Sequence, residues 1–186
     1  MLILASKSPR RKQLLEEYVT SSFLIVPSSY EEELDLNKSP LDNVCNLAYK
    51  KGEAVFKDHQ EDVVISCDTI VTLNNKIYGK PKDRDEAYQF FKELSDNTHE
   101  VITAYSIFSK DKIISNYVIS KVTFNKLSDE LINKYIETGS PFDKAGGYGI
   151  QDPLGKELVK EYKGSLNNII GMPIEEIKKD LEGLKY

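Results

Sequence analysis

Reactive potential is concentrated in the run Val63-Val-Ile-Ser-Cys-Asp-Thr-Ile-Val-Thr-Leu, where Asp68 interrupts an otherwise β-branched and apolar stretch. Such a run reads as a strand buried on both faces. An ionised carboxylate there is costly unless it is paired, hydrogen-bonded or bound to metal. Asp68 therefore either caps a neighbouring loop or takes part in chemistry. A second concentration of charge follows Ser8 and Pro9, which have the N-cap and first-turn pattern of a helix with an apolar face starting at Leu14 and Leu15. Arg10, Arg11 and Lys12 crowd the positive end of that helix, where each cation is disfavoured by roughly 0.3–1 kcal/mol. Either water and salt screen this turn, or it binds an anion. Free N–H groups, small hydroxyls and guanidinium forks together suit a phosphate.

Other segments have the composition to join such a site. In Tyr78-Gly79-Lys80-Pro81, the glycine permits close backbone approach and the lysine can place a point charge on phosphate. It is not a Walker loop, because the upstream glycine and the Ser or Thr after lysine are missing. By itself it also reads as a plain turn. The segment Gly139 to Gln151 holds four glycines beside Asp143 and Lys144. It is either a backbone that approaches a ligand or a loop with a surface ion pair. Glu31, Glu32 and Glu33 follow a short apolar strand and make either a solvated loop or an oxygen ligand for a hard cation. Lys50 and Lys51 fall inside a helix and, from spacing alone, read as surface lysines.

The elements that must position these residues follow from periodicity. Leu2 to Leu4 and Phe23 to Val26 read as short strands, and Ser39 opens a helix to about Lys57. Asn74-Asn75 makes a hairpin turn, and Asp83 or Asp85 leads a helix to Leu94. Residues 101–108 and 112–124 read as an antiparallel pair around Lys110-Asp111. Thr103-Ala104 reads as strand packing. Ser128 caps a helix to about Thr138, and Pro173 opens the last one, to about Leu184.

At 186 residues a single domain, 1–186, is the expectation, with two lobes compatible with that length. A hydrophobic fraction of 40% suffices for a core. The net charge of −5 argues against duplex nucleic acid as a partner. No apolar run reaches the ~20 residues that span a bilayer, and the N-terminus lacks a signal-peptide pattern. Cys45 and Cys67 form no Cys-x-x-Cys pair and read as reduced thiols of a cytoplasmic protein, Cys67 buried. His59 and His99 have no metal-ligand spacing and read as surface or turn residues. Nothing suggests a covalent nucleophile, so metal-activated water attacking phosphorus is the economical chemistry.

The ordered segments together resemble the Maf family of nucleoside triphosphate pyrophosphatases. The similarity runs through Leu4-Ala-Ser-Lys-Ser-Pro-Arg-Arg-Lys-Gln-Leu-Leu, Ala48-Tyr-Lys-Lys-Gly, Asp68-Thr-Ile-Val, Gly79-Lys-Pro, Asp143-Lys-Ala-Gly-Gly-Tyr-Gly-Ile-Gln and Gly164-Ser-Leu-Asn-Asn-Ile-Ile-Gly-Met-Pro. Gly52 and Gly147 stand where alanine is usual. Gly52 is expected to loosen its helix by roughly 1 kcal/mol.

The resemblance implies an α/β fold with an elongated, twisted mixed sheet, flanking helices, two lobes and a central cleft. It implies cleavage between the α and β phosphates, with a divalent metal such as Mg²⁺ or Mn²⁺ as cofactor. Asp68 is then the general base, with Lys51 and Lys80 also catalytic. Ser6, Arg10, Arg11 and Lys144 bind substrate, while Thr69 and Gln151 contact the base. Glu32, Asp68 and Asp143 are the implied metal ligands; Glu31 is the other candidate in the acidic run. Arg10, Thr69 and Gln151 match the subgroup acting on dTTP and UTP, where modified pyrimidine nucleotides are an alternative substrate class. The family is also linked to inhibition of septum formation, which leaves a nucleotide-binding regulator as the other reading. It often forms dimers, so a homodimer is compatible.

Overall fold

The computed structural model describes residues 1–186, which form a mixed seven-stranded sheet with flanking helices. In chain order the main elements are β1 (Leu2–Leu4), α1 (Pro9–Tyr18), β2 (Leu24–Ile25), α2 (Pro40–Phe56), β3 (Val63–Leu73), β4 (Lys76–Tyr78), α3 (Arg84–Leu94), β5 (Thr98–Phe108), β6 (Ile113–Phe124), α4 (Asp129–Glu137), α5 (Gly155–Leu158), β7 (Val159–Lys163), α6 (Leu166–Ile170) and α7 (Ile174–Leu181). The strand order is β2-β1-β3-β5-β6-β7, with β4 also on β3. β1 runs parallel to β2 and β3, whereas β4 and β7 are antiparallel to β3 and β6. No helix is long and apolar enough to cross a membrane, and both cysteines are free.

The chain divides into two compact units. The first contains residues 1–69, 103–118 and 171–186. Its core packs Ile3, Ala5 and Val64 against Val55 of α2 and Phe108 of β5. Helix starts follow the sequence: Ser8 Oγ accepts from the Arg11 N–H, and Ser39 Oγ accepts from the Asp42 N–H. β2 is shorter than the apolar run suggests and its two residues are exposed, because only Leu24 and Ile25 find partners on β1.

The second unit contains residues 70–102 and 119–170. Phe91 of α3 meets Tyr135 of α4 edge-on, with ring centroids 5.5 Å apart. Asn74 and Asn75 make the β3–β4 turn with φ of 50° and 65°, the left-handed conformation that asparagine tolerates. Asp83 caps α3 and Ser128 caps α4. The glycine-rich segment forms two short 3₁₀ turns, Ser140–Asp143 and Ala145–Gly147.

His99 corrects the expectation of a surface or turn histidine. It lies on β5 with 1% of its surface exposed, edge-on to Phe124 and Tyr148. Its Nε2 shares a 2.7 Å hydrogen bond with the Tyr148 hydroxyl, while Nδ1 has no partner. Burial holds the imidazole neutral and pushes its pKa down to about 4. The depressed folded pKa sets the sign. Stability is full above the unfolded value of 6.5 and falls as pH drops toward 4, because only the unfolded chain takes up the proton in that window. Urea unfolding is expected to show a loss of about 1.5 kcal/mol between pH 6.5 and pH 5. His99→Gln should remove that part of the slope.

Candidate active site

Position on the strand and position on the helix together bring Asp68 to its counter-ion. Ser66 and Asp68 are two apart on β3 and share a face. Ala48 and Lys51 are three apart on α2 and share a side of the helix. Ser66 Oγ donates to the Ala48 carbonyl at 2.7 Å, pinning helix to strand one turn before Lys51. Lys51 Nζ then reaches Asp68 Oδ1 at 2.5 Å. It also reaches Glu32 Oε1 at 2.6 Å, from the irregular segment before α2. The Lys51 and Asp68 side chains are 13% and 10% exposed, against 54% for Glu32. Burial raises the Asp68 carboxyl above its ordinary value, and the Lys51 and Arg11 charges offset only part of that rise.

Gly52 explains how the backbones approach so closely. A Cβ at this position would run into the Phe108 ring and Ser66 Oγ, both buried. The glycine permits the packing, whatever helix propensity it forgoes. Gly52→Ala gains helix propensity of about 1 kcal/mol, yet overpacking should make it a net destabilisation of about 1–3 kcal/mol. Chemical denaturation measures this directly.

The other expected residues of the first unit are engaged by their own chain. Arg11 Nε donates to the Gly171 carbonyl at 2.8 Å, Nη1 to the Cys67 carbonyl at 2.9 Å and Ser6 Oγ at 3.3 Å, and Nη2 to Thr69 Oγ1 at 3.1 Å. Ser6 Oγ also accepts from the Ser8 N–H. Arg11 and Ser6 thus form an internal clamp around Cys67–Thr69. Thr69 Oγ1 lies 2.9 Å from Thr103 Oγ1, so Thr103 does more than pack a strand. Arg10 is half-buried in the first turn of α1.

In the second unit the Gly146 N–H donates to the Gly79 carbonyl at 3.1 Å, joining the Gly79-Lys80 segment to the glycine-rich one. Gly146 has φ of 70°, and a Cβ there would press on Val71. Lys80 is exposed. Lys144 Nζ donates to the Ser140 carbonyl and hydroxyl, both at 2.9 Å, and to Asp143 Oδ1 at 2.8 Å. Asp152 Oδ2 accepts from Tyr135 and Ser140 and lies 3.8 Å from Lys144 Nζ. Sequence reasoning missed this support. Its signal is a second carboxylate, Asp152, directly after Gln151. Gln151 itself is exposed.

The carboxylates fit a hard cation only in part. Glu32 and Asp68 converge on one ammonium, so both can reach a shared positive charge. Two carboxylates suit Mg²⁺ or Mn²⁺ when water and phosphate oxygens complete the shell. No group of three or more His, Cys, Asp or Glu side chains is gathered to hold a metal. Asp143, the third expected ligand, is paired with Lys144.

Comparison with known proteins identifies the family. A family model described as Maf-like protein matches residues 1–184. A dTTP/UTP pyrophosphatase of Pyrococcus furiosus is 45% identical over 97% of this chain and 94% of its own length. One of Clostridioides difficile is 44% identical over 95% of this chain and 91% of its own. Among solved structures, a HAM1 protein from Coxiella burnetii shares the fold, with a TM-score of 0.55 at 12% identity over 98% of both chains. The chain belongs to the Maf family.

Proposed function

We propose that residues 1–186 act as one domain that hydrolyses dTTP and UTP to the nucleoside monophosphate and pyrophosphate. The observation that carries this reading is the buried Asp68 carboxylate, which shares Lys51 with Glu32. The names of relatives more than 40% identical over nearly the whole chain support the substrate class.

In this reading Asp68 accepts the proton of the attacking water. A new O–P bond forms, the bond between the α and β phosphates breaks, and pyrophosphate leaves. Burial makes Asp68 a stronger base than an ordinary carboxylate, and Lys51 offsets part of that rise. A divalent cation held by Glu32 and Asp68 would lower the pKa of water and neutralise phosphate charge. Arg10, Lys80 and Lys144 stabilise charge on the phosphates. Lys144 must first exchange one of its protein partners for a phosphate oxygen. Thr69 and Gln151 face the base, where a glutamine amide can both donate and accept across a pyrimidine edge.

The test is pyrophosphate release from dTTP with Mg²⁺ or Mn²⁺. Asp68→Asn should lower kcat by about 10²–10⁴-fold while nucleotide still binds. A wild-type protein that bound dTTP tightly and released no pyrophosphate would overturn the enzyme reading in favour of a nucleotide-binding regulator. Lys51→Met supplies a second check. Lys51 lowers the Asp68 pKa, so its removal should shift the acid limb of kcat/KM to higher pH. A pH–rate profile reads the shift.

A further inference from the structure

The Arg11 clamp determines what the Thr69 hydroxyl can do. We propose that Arg11 and Thr103 are positioning residues for base selection: they fix the Thr69 hydroxyl as a hydrogen-bond acceptor toward the nucleotide, and Arg11 is not a phosphate ligand. The proposal rests on the reading that Thr69 faces the base.

All four Arg11 hydrogen bonds end on neutral oxygens of its own chain, contributed by Ser6, Cys67, Thr69 and Gly171. Two of these acceptors, the Cys67 carbonyl and the Thr69 hydroxyl, flank Asp68 in sequence. A guanidinium N–H can only donate, so Thr69 Oγ1 accepts from Arg11. The hydroxyl's own hydrogen then goes to Thr103 Oγ1 at 2.9 Å or to the Gly171 carbonyl at 3.4 Å. Donation to Thr103, the shorter contact, leaves one lone pair and no hydrogen for a ligand; donation to Gly171 would make Thr103 the donor and fill both lone pairs. Thr69 offers a base a lone pair or its methyl group, never a donor.

That restriction distinguishes pyrimidines chemically. Ring nitrogen N3 carries a hydrogen in uracil and thymine, whereas in cytosine it is a bare acceptor. A hydroxyl that only accepts suits the first pair and opposes the lone pair of the third. A site with fixed polarity discriminates far better than one that senses only size. The geometry also needs the planar fork, because its four acceptors lie on three segments, Cys67 and Thr69 both on β3. A lysine ammonium keeps the charge but cannot span them.

The experiment compares the full-length wild type with Arg11→Lys and Thr103→Val. It measures kcat/KM for dTTP and dCTP, and inhibition by inorganic pyrophosphate, which has no base. The dTTP-to-dCTP ratio should fall about tenfold in both variants. Pyrophosphate inhibition should stay within about twofold of wild type. An unchanged ratio, or inhibition weakened about tenfold in Arg11→Lys, would overturn the proposal and make Arg11 a phosphate ligand. Thermal unfolding confirms that each variant folds, and the smaller Thr103→Val change carries the test if Arg11→Lys does not. A wild type that hydrolyses both nucleotides equally would remove Thr69 as a base contact, and the proposal with it. A wild type that releases no pyrophosphate would remove the enzyme reading itself.

Discussion

A carboxylate inside an apolar strand must have a cation close by, and much of the first unit is arranged to supply one. Desolvation drives Asp68 toward its neutral form. Lys51 opposes that drive, but a lysine arrives on a long stem and is useful only if its helix lies close. The Ser66-to-Ala48 hydrogen bond and the bare Gly52 backbone bring α2 near enough. The result is a buried carboxyl held above the usual carboxylate range and paired with Lys51. Leaving such a buried charge unpaired costs far more than the pair contributes, so α2, β3 and the Asp68 ion pair behave as one structural unit.

The positive side chains divide by what they already hold. Arg11 spends its guanidinium on carbonyl and hydroxyl oxygens, and Lys144 spends its ammonium on Ser140 and Asp143. Lys80 projects from a turn whose backbone is tied to the glycine-rich segment through Gly146 and Gly79. Cations that look equivalent in sequence therefore differ in their surroundings: Arg11 and Lys144 are held by oxygens of their own chain, and Lys80 is exposed.

Much of this was legible in the residues, for identifiable reasons. Caps at Ser8, Ser39 and Ser128 act over three or four residues, so local sequence specifies them. Asp68 announces itself because a charge in a β-branched run has few innocent explanations. What sequence could not reveal depends on distant neighbours. Gly52 looks like a weak helix position until Phe108 and Ser66 are seen against it. His99 looks like a turn residue until Phe124 and Tyr148 enclose it. Thr103 is one β-branched residue among many until its hydroxyl meets Thr69. Asp143 sits beside Lys144 in sequence and stays with it in space.

The Arg11–Gly171 hydrogen bond joins residues 160 positions apart. During synthesis the amino end leaves the ribosome long before its partner carbonyl exists. β1 must likewise wait for Val63 to Ile65 before it gains its parallel neighbour in β3. Contacts of such wide separation form late, because closing a long loop precedes any reward from the contact. An incomplete nascent chain can thus hold Asp68 and Lys51 and still lack the last anchor of the clamp. The clamp therefore closes only after translation is nearly finished.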